Sequence, residues 1–271
     1  MSQHAFAPTL SFSPIAFQYD ERYQIPVNML DACYRRLIDY SILPMGGVIL
    51  DAGCGTGQMS LPLAESGFEI RGYDISKEMI AAARSKVSSG MRAQYDVADA
   101  RALPEADNAV DAVLACKLLV HISDWRNAVL EILRVLKPGG CFVQLNDAIA
   151  LENTVRTYFG KLASAEGYTN RFLGLHPAKE YELVELLDSE GCEEVRVEVS
   201  DLKWSREISY GLILDQFEKN LFAEFWPIPS NRYHHILDQT SRWVESLPSG
   251  RATVENIEPR LYVRAFRKKA P

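Results

Sequence analysis

Residues 48–57 read Val-Ile-Leu-Asp-Ala-Gly-Cys-Gly-Thr-Gly, and they carry the strongest indication of the fold class. It opens on a short apolar run that is bounded by glycine and too short for a helix, which predicts a buried strand. Three glycines follow at alternate positions, so the backbone can turn tightly and a ligand can press against the main chain. A helix over about 58–66 is expected next, because Pro62 suits its first turn.

The alternation of strand and helix continues on both sides of this stretch. Apolar residues recur at helical spacing in four segments, and in five further segments they form short runs that are typical of strands. Ser76 and Ser123 are the expected N-caps of two of the helices. The predicted helices span 28–41, 58–66, 76–87 and 123–136, and the predicted strands 48–50, 68–73, 92–97, 110–115 and 141–145. This order predicts an α/β fold with a Rossmann-like, doubly wound parallel sheet.

The second half of the chain departs from the simple repeat. Residues 204–247 are rich in aromatic side chains and too long and apolar for a plain loop, so we expect a helical, aromatic-rich insertion that covers the site. The other predicted elements are helices at 150–166 and 178–189 and strands at 195–199 and 260–268. The expected organisation is a lid segment (1–44), a core (45–147) and a C-terminal part of the same domain (148–271).

The amino-acid composition excludes a disordered chain, a collagen and a coiled coil. Apolar residues make up 47% and charged residues 24% of the 271 residues, which is typical of a globular domain. The formal charge of −7 disfavours a nucleic-acid partner. We see no run of about 20 apolar residues that would predict a membrane-spanning helix, so no membrane partner is expected. The oligomeric state stays open.

The five cysteines are odd in number and scattered, with no Cys-x-x-Cys pair, which predicts a reducing, cytoplasmic location. A metal site is not expected. His234 and Asp238 stand one helical turn apart, but two ligands without a third do not make a site.

An acidic residue at the end of the second predicted strand points to an adenosine ligand. Doubly wound folds place a carboxylate there to bind both ribose hydroxyls, and Asp74 stands in that position. The ligand could be a dinucleotide or S-adenosylmethionine. Dinucleotide sites follow GxGxxG, whereas the spacing here is GxGxG. Asp51 would repel a pyrophosphate but could hold the ammonium of a methionine moiety. An ordinary glycine-rich turn with a helix-capping Asp74 is the non-functional alternative.

The string Leu-Asp-Ala-Gly-Cys-Gly-Thr-Gly at 50–57 closely resembles motif I of class I S-adenosylmethionine-dependent methyltransferases. The chain is most similar to their small-molecule branch, near the ubiquinone/menaquinone C-methyltransferases. The resemblance extends over about 45–147 and includes Asp74, Asp99, the run at 107–113, His121 and Leu-Arg-Val-Leu-Lys-Pro-Gly-Gly at 133–140. It implies a seven-stranded sheet whose last strand is antiparallel, S-adenosyl-L-methionine as cofactor, S-adenosyl-L-homocysteine as product, and a small-molecule acceptor.

The same resemblance implies roles for individual residues. Those assigned to the methionine end and its loop are Asp51, Gly53, Cys54, Gly55, Thr56, Gly57 and Cys116. Those assigned to the adenosine end are Asp74, Ile75, Met79, Asp99 and Ala100. Asp99 would accept from the adenine amino group. Tyr19 and Arg22 resemble a lid segment in which Arg22 meets the methionine carboxylate, with a surface ion pair as the alternative for Arg22.

His121 is the candidate general base for acceptors that must lose a proton, because imidazole titrates near pH 6.5 in its ordinary state, at about the working pH. The alternative is a histidine that bonds a backbone carbonyl and shapes the loop. Methyl transfer from a sulfonium is an in-line displacement that needs positioning and desolvation above all. Two other functions remain open: a non-catalytic protein that binds S-adenosylmethionine, and an NAD(P)-dependent oxidoreductase.

Overall fold

The computed structural model describes residues 9–22, 25–148, 153–169 and 172–270. The strands are β1 (Val48–Ala52), β2 (Glu69–Asp74), β3 (Ala93–Val97), β4 (Val110–Cys116), β5 (Leu136–Ala148), β6 (Cys192–Val195), β7 (Arg206–Ser209), β8 (Val254–Ile257) and β9 (Arg260–Lys268). The helices are α1 (Tyr19–Arg22), α2 (Val27–Asp39), α3 (Leu61–Glu65), α4 (Lys77–Ser85), α5 (Trp125–Val135), α6 (Thr154–Ala165), α7 (Tyr181–Ser189), α8 (Tyr210–Glu218) and α9 (Ser230–Glu245). Short 3-10 turns lie at Ser13–Gln18, Leu119–His121, Pro177–Lys179, Ala223–Phe225 and Gly250–Ala252.

Seven strands form one sheet in the order β3-β2-β1-β4-β5-β9-β6. The pairs from β3 to β5 are parallel, and β9 is antiparallel to both of its neighbours. The predicted Rossmann-like sheet with an antiparallel last strand is therefore confirmed. Strand β1 lies inside the sheet, which is why its first residues, Val48, Ile49 and Leu50, are apolar on both faces.

Successive residues of the central strands enter two separate cores, as the two-residue period of a strand requires. Ile49 packs with residues of α2, α3 and α4 on one face of the sheet. Leu50 packs with residues of α5 and α7 on the other face. The sheet is thus covered by helices on both sides.

The Leu-Lys-Pro-Gly-Gly motif at 136–140 opens β5 instead of forming a loop after the helix. Lys137 Nζ lies 2.7 Å from one oxygen of Asp111, whose other oxygen accepts from the Val48 N–H at 2.9 Å. A Cβ at Gly140 would lie 2.6 Å from the Asp111 carbonyl oxygen, so no side chain fits there. The motif therefore joins the starts of β1, β4 and β5.

Three local predictions need correction. Helix α5 begins at Trp125 with Asp124 as N-cap and without a side-chain cap, so Ser123 is not its cap. Helix α3 is shorter than predicted because Gly57, at φ 75°, starts a turn that delays the helix until Leu61. The strand expected at 195–199 lies at Cys192–Val195, where pairing with β9 ends at Ala265. The alternating valines of 195–199 indicate that one side of this segment is at least partly buried. A segment can bury one side without pairing with a neighbouring strand.

The aromatic-rich insertion is helical, as predicted, and it carries a small sheet as well. We call residues 153–169 and 206–257 the cap; it contains α6, α8, α9 and the antiparallel pair of β7 and β8. Its core is separate from the two cores of the main sheet. The ring of Phe159 lies at the centre, stacked on Phe217 at 4.3 Å between ring centroids and 4.7 Å from Phe225.

This separate core predicts that the cap can be loosened alone. Phe159→Ala removes a fully buried ring, and such changes cost about 3–5 kcal/mol. We expect faster amide hydrogen exchange throughout α6, α8 and α9, with unchanged exchange in β1, β2 and β4. Leu183→Ala, in the core under α7, is the matched control and should loosen the main domain instead. Equal loosening of both regions by Phe159→Ala would contradict a separate cap core.

Candidate functional site

A cavity lies where the parallel strands β1, β2 and β4 end, the position where open α/β sheets bind ligands. Three parts of the chain surround it: the N-terminal segment (residues 9–22), the glycine loop after β1 (residues 53–57) and the turn after β4 (residues 117–122). The lining residues are Thr9, Leu10, Phe12, Tyr19, Gly53, Gly55, Tyr73, Asp74, Ile75, Met79, Ala98, Asp99, Ala100, Cys116, Lys117, Leu118, His121 and Ile122.

The glycine loop needs its glycines for two reasons. Gly53, Gly55 and Gly57 have φ values of 69°, 54° and 75°, in the left-handed region that other residues adopt only at a cost. A Cβ at Gly53 would also lie 2.5 Å from Leu118 Cδ1. The loop therefore presents bare backbone to the cavity through Gly53 and Gly55.

The Asp74 carboxylate is fixed at the cavity by two backbone donors. One oxygen accepts from the Gly55 N–H at 3.0 Å, and the other from the Ser76 N–H at 2.8 Å. Burial raises its pKa, and these N–H donors oppose the shift. Each carboxylate oxygen can accept more than one hydrogen bond, so the group keeps capacity for two hydroxyls of a ligand.

Asp51 is buried at the end of β1, and it is not among the residues that line the cavity. Its pKa is raised to about 7, mainly by burial and also by the nearby Asp74, while a hydrogen bond from Ser60 opposes the shift. Its Oδ2 atom has no hydrogen-bond partner. A buried oxygen of this kind calls for a proton or a cationic donor.

Asp99 lines the cavity with its carboxylate already held by Arg101. The Arg101 guanidinium donates to both Asp99 oxygens, at 2.9 and 2.6 Å, and its side chain is buried. Burial works to raise the Asp99 pKa, but the hydrogen bonds from Arg101 outweigh it and lower the pKa. The predicted contact with an adenine amino group would share this carboxylate with Arg101.

The N-terminal segment is fastened over the glycine loop. Asp20 accepts a hydrogen bond from the Thr56 hydroxyl at 2.6 Å and pairs with Lys86, which also donates to the Thr56 carbonyl at 3.0 Å. The Leu10 N–H donates to the His121 carbonyl at 3.0 Å. The segment thus closes the cavity from α4 to the turn after β4.

The turn after β4 lines the cavity and contacts the N-terminal segment. Lys117 has φ 53°, which is uncommon for a residue other than glycine, and its N–H donates to Asn146 at 3.2 Å. The His121 ring contacts Phe12 edge to face at 4.9 Å, and Phe12 lies 5.3 Å from Trp226 of the cap. Strained backbone of this kind is often found at functional sites.

The structure gathers most of the predicted site residues around the cavity. Those that line it are Tyr19, Gly53, Gly55, Asp74, Ile75, Met79, Asp99, Ala100, Cys116 and His121. Asp51, Cys54, Thr56 and Gly57 belong to the loop without lining the cavity, and the Arg22 side chain lies outside the described residues. Their individual roles stay predictions.

Sequence reasoning did not assign Leu10, Phe12, Tyr73 or Arg101 to the site. The absence of charged residues before Asp20 was the available signal for a segment that packs over the cavity. No pattern marked Arg101.

Neither a metal centre nor a membrane span is found in the part of the chain that the structure describes. No three His, Cys, Asp or Glu side chains come together there as ligands would. Asp238 pairs with Arg242 at 2.9 Å, and the His234 ring lies 2.6 Å from the Ser230 carbonyl. None of the described helices is long and apolar enough to cross a bilayer.

Residues 49–140 match the family described as a methyltransferase domain. This part of the chain is therefore similar to a methyltransferase domain. A demethylmenaquinone methyltransferase of Thermus thermophilus is 37% identical over 138 residues, which are 49% of this chain and 63% of that protein. The chain covers between 37% and 63% of the length of the first curated relatives that it matches.

Solved structures resemble the methyltransferase core and the surrounding chain. The YcgJ protein of Bacillus subtilis superposes with a TM-score of 0.56 at 18% identity, over 90% of this chain and 99% of that one. The [4+2]-cyclase SpnF superposes with a TM-score of 0.52 at 25% identity, over 90% and 81%. The family match and the curated relatives confirm the predicted resemblance to class I methyltransferases over the core. The similarity to YcgJ, at 18% identity, shows the fold alone.

The buried Asp51 of the methyltransferase core predicts a pH-dependent stability. Its pKa in the folded protein lies above the ordinary 3.8, so the folded state holds the proton longer than the unfolded state does. The free energy of unfolding should therefore fall as pH rises from about 4 to 7. Asp51→Asn, which cannot ionise, should remove this fall and raise the stability at pH 8 by about 1–3 kcal/mol.

Urea unfolding of the ligand-free protein between pH 4 and 8 measures this effect. The exposed Asp188→Asn on α7 serves as the matched control and should leave the pH profile as in the wild type. A profile that Asp51→Asn does not change would show that Asp51 ionises normally.

Proposed function

We propose that this protein is an S-adenosylmethionine-dependent methyltransferase that methylates a small-molecule acceptor. The observation that carries the proposal is the Asp74 carboxylate, fixed by the Gly55 and Ser76 N–H groups at the edge of a cavity lined by bare glycine backbone. A pair of vicinal ribose hydroxyls fits this group. The methyltransferase family match of residues 49–140 supports the same ligand.

The other residues of the cavity suit the remaining parts of this cofactor. Ile75 and Met79 offer an apolar surface for adenine next to Asp74, and Asp99 offers an acceptor for its amino group. At the other end, the unpartnered oxygen of the buried Asp51 supplies a negative charge for the methionine ammonium. A dinucleotide would bring a pyrophosphate towards this carboxylate and meet repulsion, which disfavours an oxidoreductase.

Bound S-adenosylmethionine supplies an activated methyl group, and the protein orients the reactants and excludes water from them. The N-terminal segment excludes water, because Leu10, Phe12 and Tyr19 line the cavity and Asp20 fastens that segment to the glycine loop. His121 lines the cavity and would take a proton from an acceptor that must lose one. In this role its ring nitrogen must face the acceptor, with Phe12 packed against the ring.

The acceptor would bind beside the rings of His121, Phe12 and the cap residue Trp226, which contact one another in that order. Such an aromatic surface favours a hydrophobic or planar molecule over a chain of nucleic acid. The quinone-related name of the Thermus thermophilus relative agrees with an acceptor of this shape. Five free thiols suit a reducing compartment, so we place the protein in the cytoplasm.

A second candidate is a protein that binds S-adenosylmethionine without methyl transfer. One solved structure of this fold is named a [4+2]-cyclase, so the fold hosts a reaction of another kind. Incubation with methyl-labelled S-adenosylmethionine and a metabolite extract separates the two. Label in a small molecule supports the transferase, and binding without transfer supports the alternative.

Asp74→Ala should weaken S-adenosylmethionine binding about 10- to 100-fold, because it removes the acceptor of two hydrogen bonds to a charged group. Calorimetric titration measures the affinity, with NADH as a second titrant that should not bind. Asp188→Ala, an exposed carboxylate on α7, is the matched control. Unchanged affinity in Asp74→Ala would exclude it as the ribose ligand.

His121→Gln should lower kcat at least about 100-fold for an acceptor that must lose a proton, because general-base catalysis contributes that much. The affinity for S-adenosylmethionine should stay within about twofold. His235→Gln, on the exposed face of α9, is the control. A kcat that stays at the wild-type value would leave His121 a purely structural role.

A further inference from the structure

We propose that Tyr95 is a positioning residue for the methionine end of the cofactor: through Ser60, it holds the Asp51 carboxylate oriented and charged. The inference rests on the proposed function, since it deepens the role of Asp51. Tyr95 lies on β3, two strands away from β1, and it is not among the residues that line the cavity.

Three buried polar groups form a chain from β3 to β1. The Tyr95 hydroxyl lies 3.0 Å from Ser60 Oγ, and the Ser60 side chain is hydrogen-bonded to the Asp51 carboxyl group. The exposed fractions of Tyr95, Ser60 and Asp51 are 1%, 0% and 1%. Water is therefore excluded from the chain, and each group depends on the next for a partner.

The charge on Asp51 fixes the direction of both hydrogen bonds. An ionised carboxylate only accepts, and a serine hydroxyl has a single proton, so Ser60 must donate to Asp51. The second bond can then form only if Tyr95 donates to Ser60. This donation polarises the Ser60 hydroxyl and strengthens its bond to the carboxylate. Tyr95 thus stabilises the charged form of Asp51 specifically.

Two glycines make the room in which the Tyr95 ring is held. A Cβ at Gly72 of β2 would lie 2.2 Å from Tyr95 Cδ1, and a Cβ at Gly57 would lie 3.1 Å from the Tyr95 hydroxyl. The ring therefore packs directly on the backbone of both residues. Its hydroxyl has a fixed position, as a positioning residue requires.

The other titratable groups near Asp51 do not offset its charge. Asp74 on β2 raises the pKa of Asp51. Asp51 in turn raises the pKa of Tyr34 on α2 and of Cys54 in the glycine loop, where burial is the main cause. Cys116 on β4 also faces Tyr34. All four are acids, so Ser60 and Tyr95 are the groups that favour the carboxylate here.

The experiment compares wild type, Tyr95→Phe, Ser60→Ala and the double variant. The ionisation of Asp51 is followed in the ligand-free protein by carboxyl carbon NMR between pH 4 and 9, with Asp51→Asn to assign the signal. The affinity for S-adenosylmethionine is measured by calorimetry at pH 7 and 9. Comparing variants at each pH cancels the titration of the cofactor itself. Tyr233→Phe, which removes the buried hydroxyl that donates to Phe217 in the cap, is the matched control.

We expect Tyr95→Phe to raise the midpoint of Asp51 ionisation by about 0.5–1 pH unit and to weaken binding about 3- to 10-fold at pH 7. The loss should shrink at pH 9, where the carboxylate is ionised in every variant. The double variant should behave as Ser60→Ala does, because Tyr95 acts only through Ser60. Tyr233→Phe should change neither quantity.

An unchanged midpoint in Tyr95→Phe, or losses that add in the double variant, would overturn the inference. Failure of the wild type to bind S-adenosylmethionine would overturn the proposed function instead. In that case the NMR midpoints still decide the role of Tyr95, because they need no ligand.

Discussion

The burial of one carboxylate, Asp51, is the constraint from which much of the site follows. An ion at the end of a central strand loses its hydration, and this loss must be offset by donors or by a cation. Ser60 gives one hydrogen bond, and one oxygen is left without a partner. The unpaired oxygen lowers the stability of the ligand-free protein. A cationic ligand that pairs with it would therefore bind more tightly.

Close packing explains the glycines in and near the loop. Gly72 and Gly57 admit the Tyr95 ring, and Gly53 admits Leu118, so backbone and side chains approach more closely than any Cβ would allow. The Lys137–Asp111 pair has a comparable function at the opposite end of β1, where it fixes the start of the strand. Both ends of β1 are thus held by carboxylates with defined partners.

Three parts of the molecule divide the work. The sheet with its two cores supplies rigidity, the N-terminal segment closes the cavity, and the cap supplies aromatic surface. They meet at Phe12, whose ring contacts His121, Tyr19 and Trp226. Since the cap has its own core, its shape can vary while the cofactor site stays the same. In the proposed function, acceptor recognition would depend on Phe12 and Trp226, which lie outside the range 49–140 that matches the methyltransferase family.

Periodicity and glycine spacing predicted the parallel sheet and the position of Asp74, because these depend on local backbone geometry and on burial. The antiparallel last strand was expected from the resemblance to class I methyltransferases. The strand expected at 195–199 was misplaced, since an apolar alternation reports burial without saying where a partner strand ends. Arg101 and Asp20 were missed because a charged residue in sequence does not reveal its partner.

The fold class and the residues of the glycine loop could be read from the amino-acid sequence. Two pairings became visible only in the folded chain, those of Asp20 with Thr56 and of Tyr95 with Ser60. The physical reason is distance along the chain. Hydrogen bonds and ion pairs between residues far apart depend on how the elements pack, and no local pattern encodes that packing.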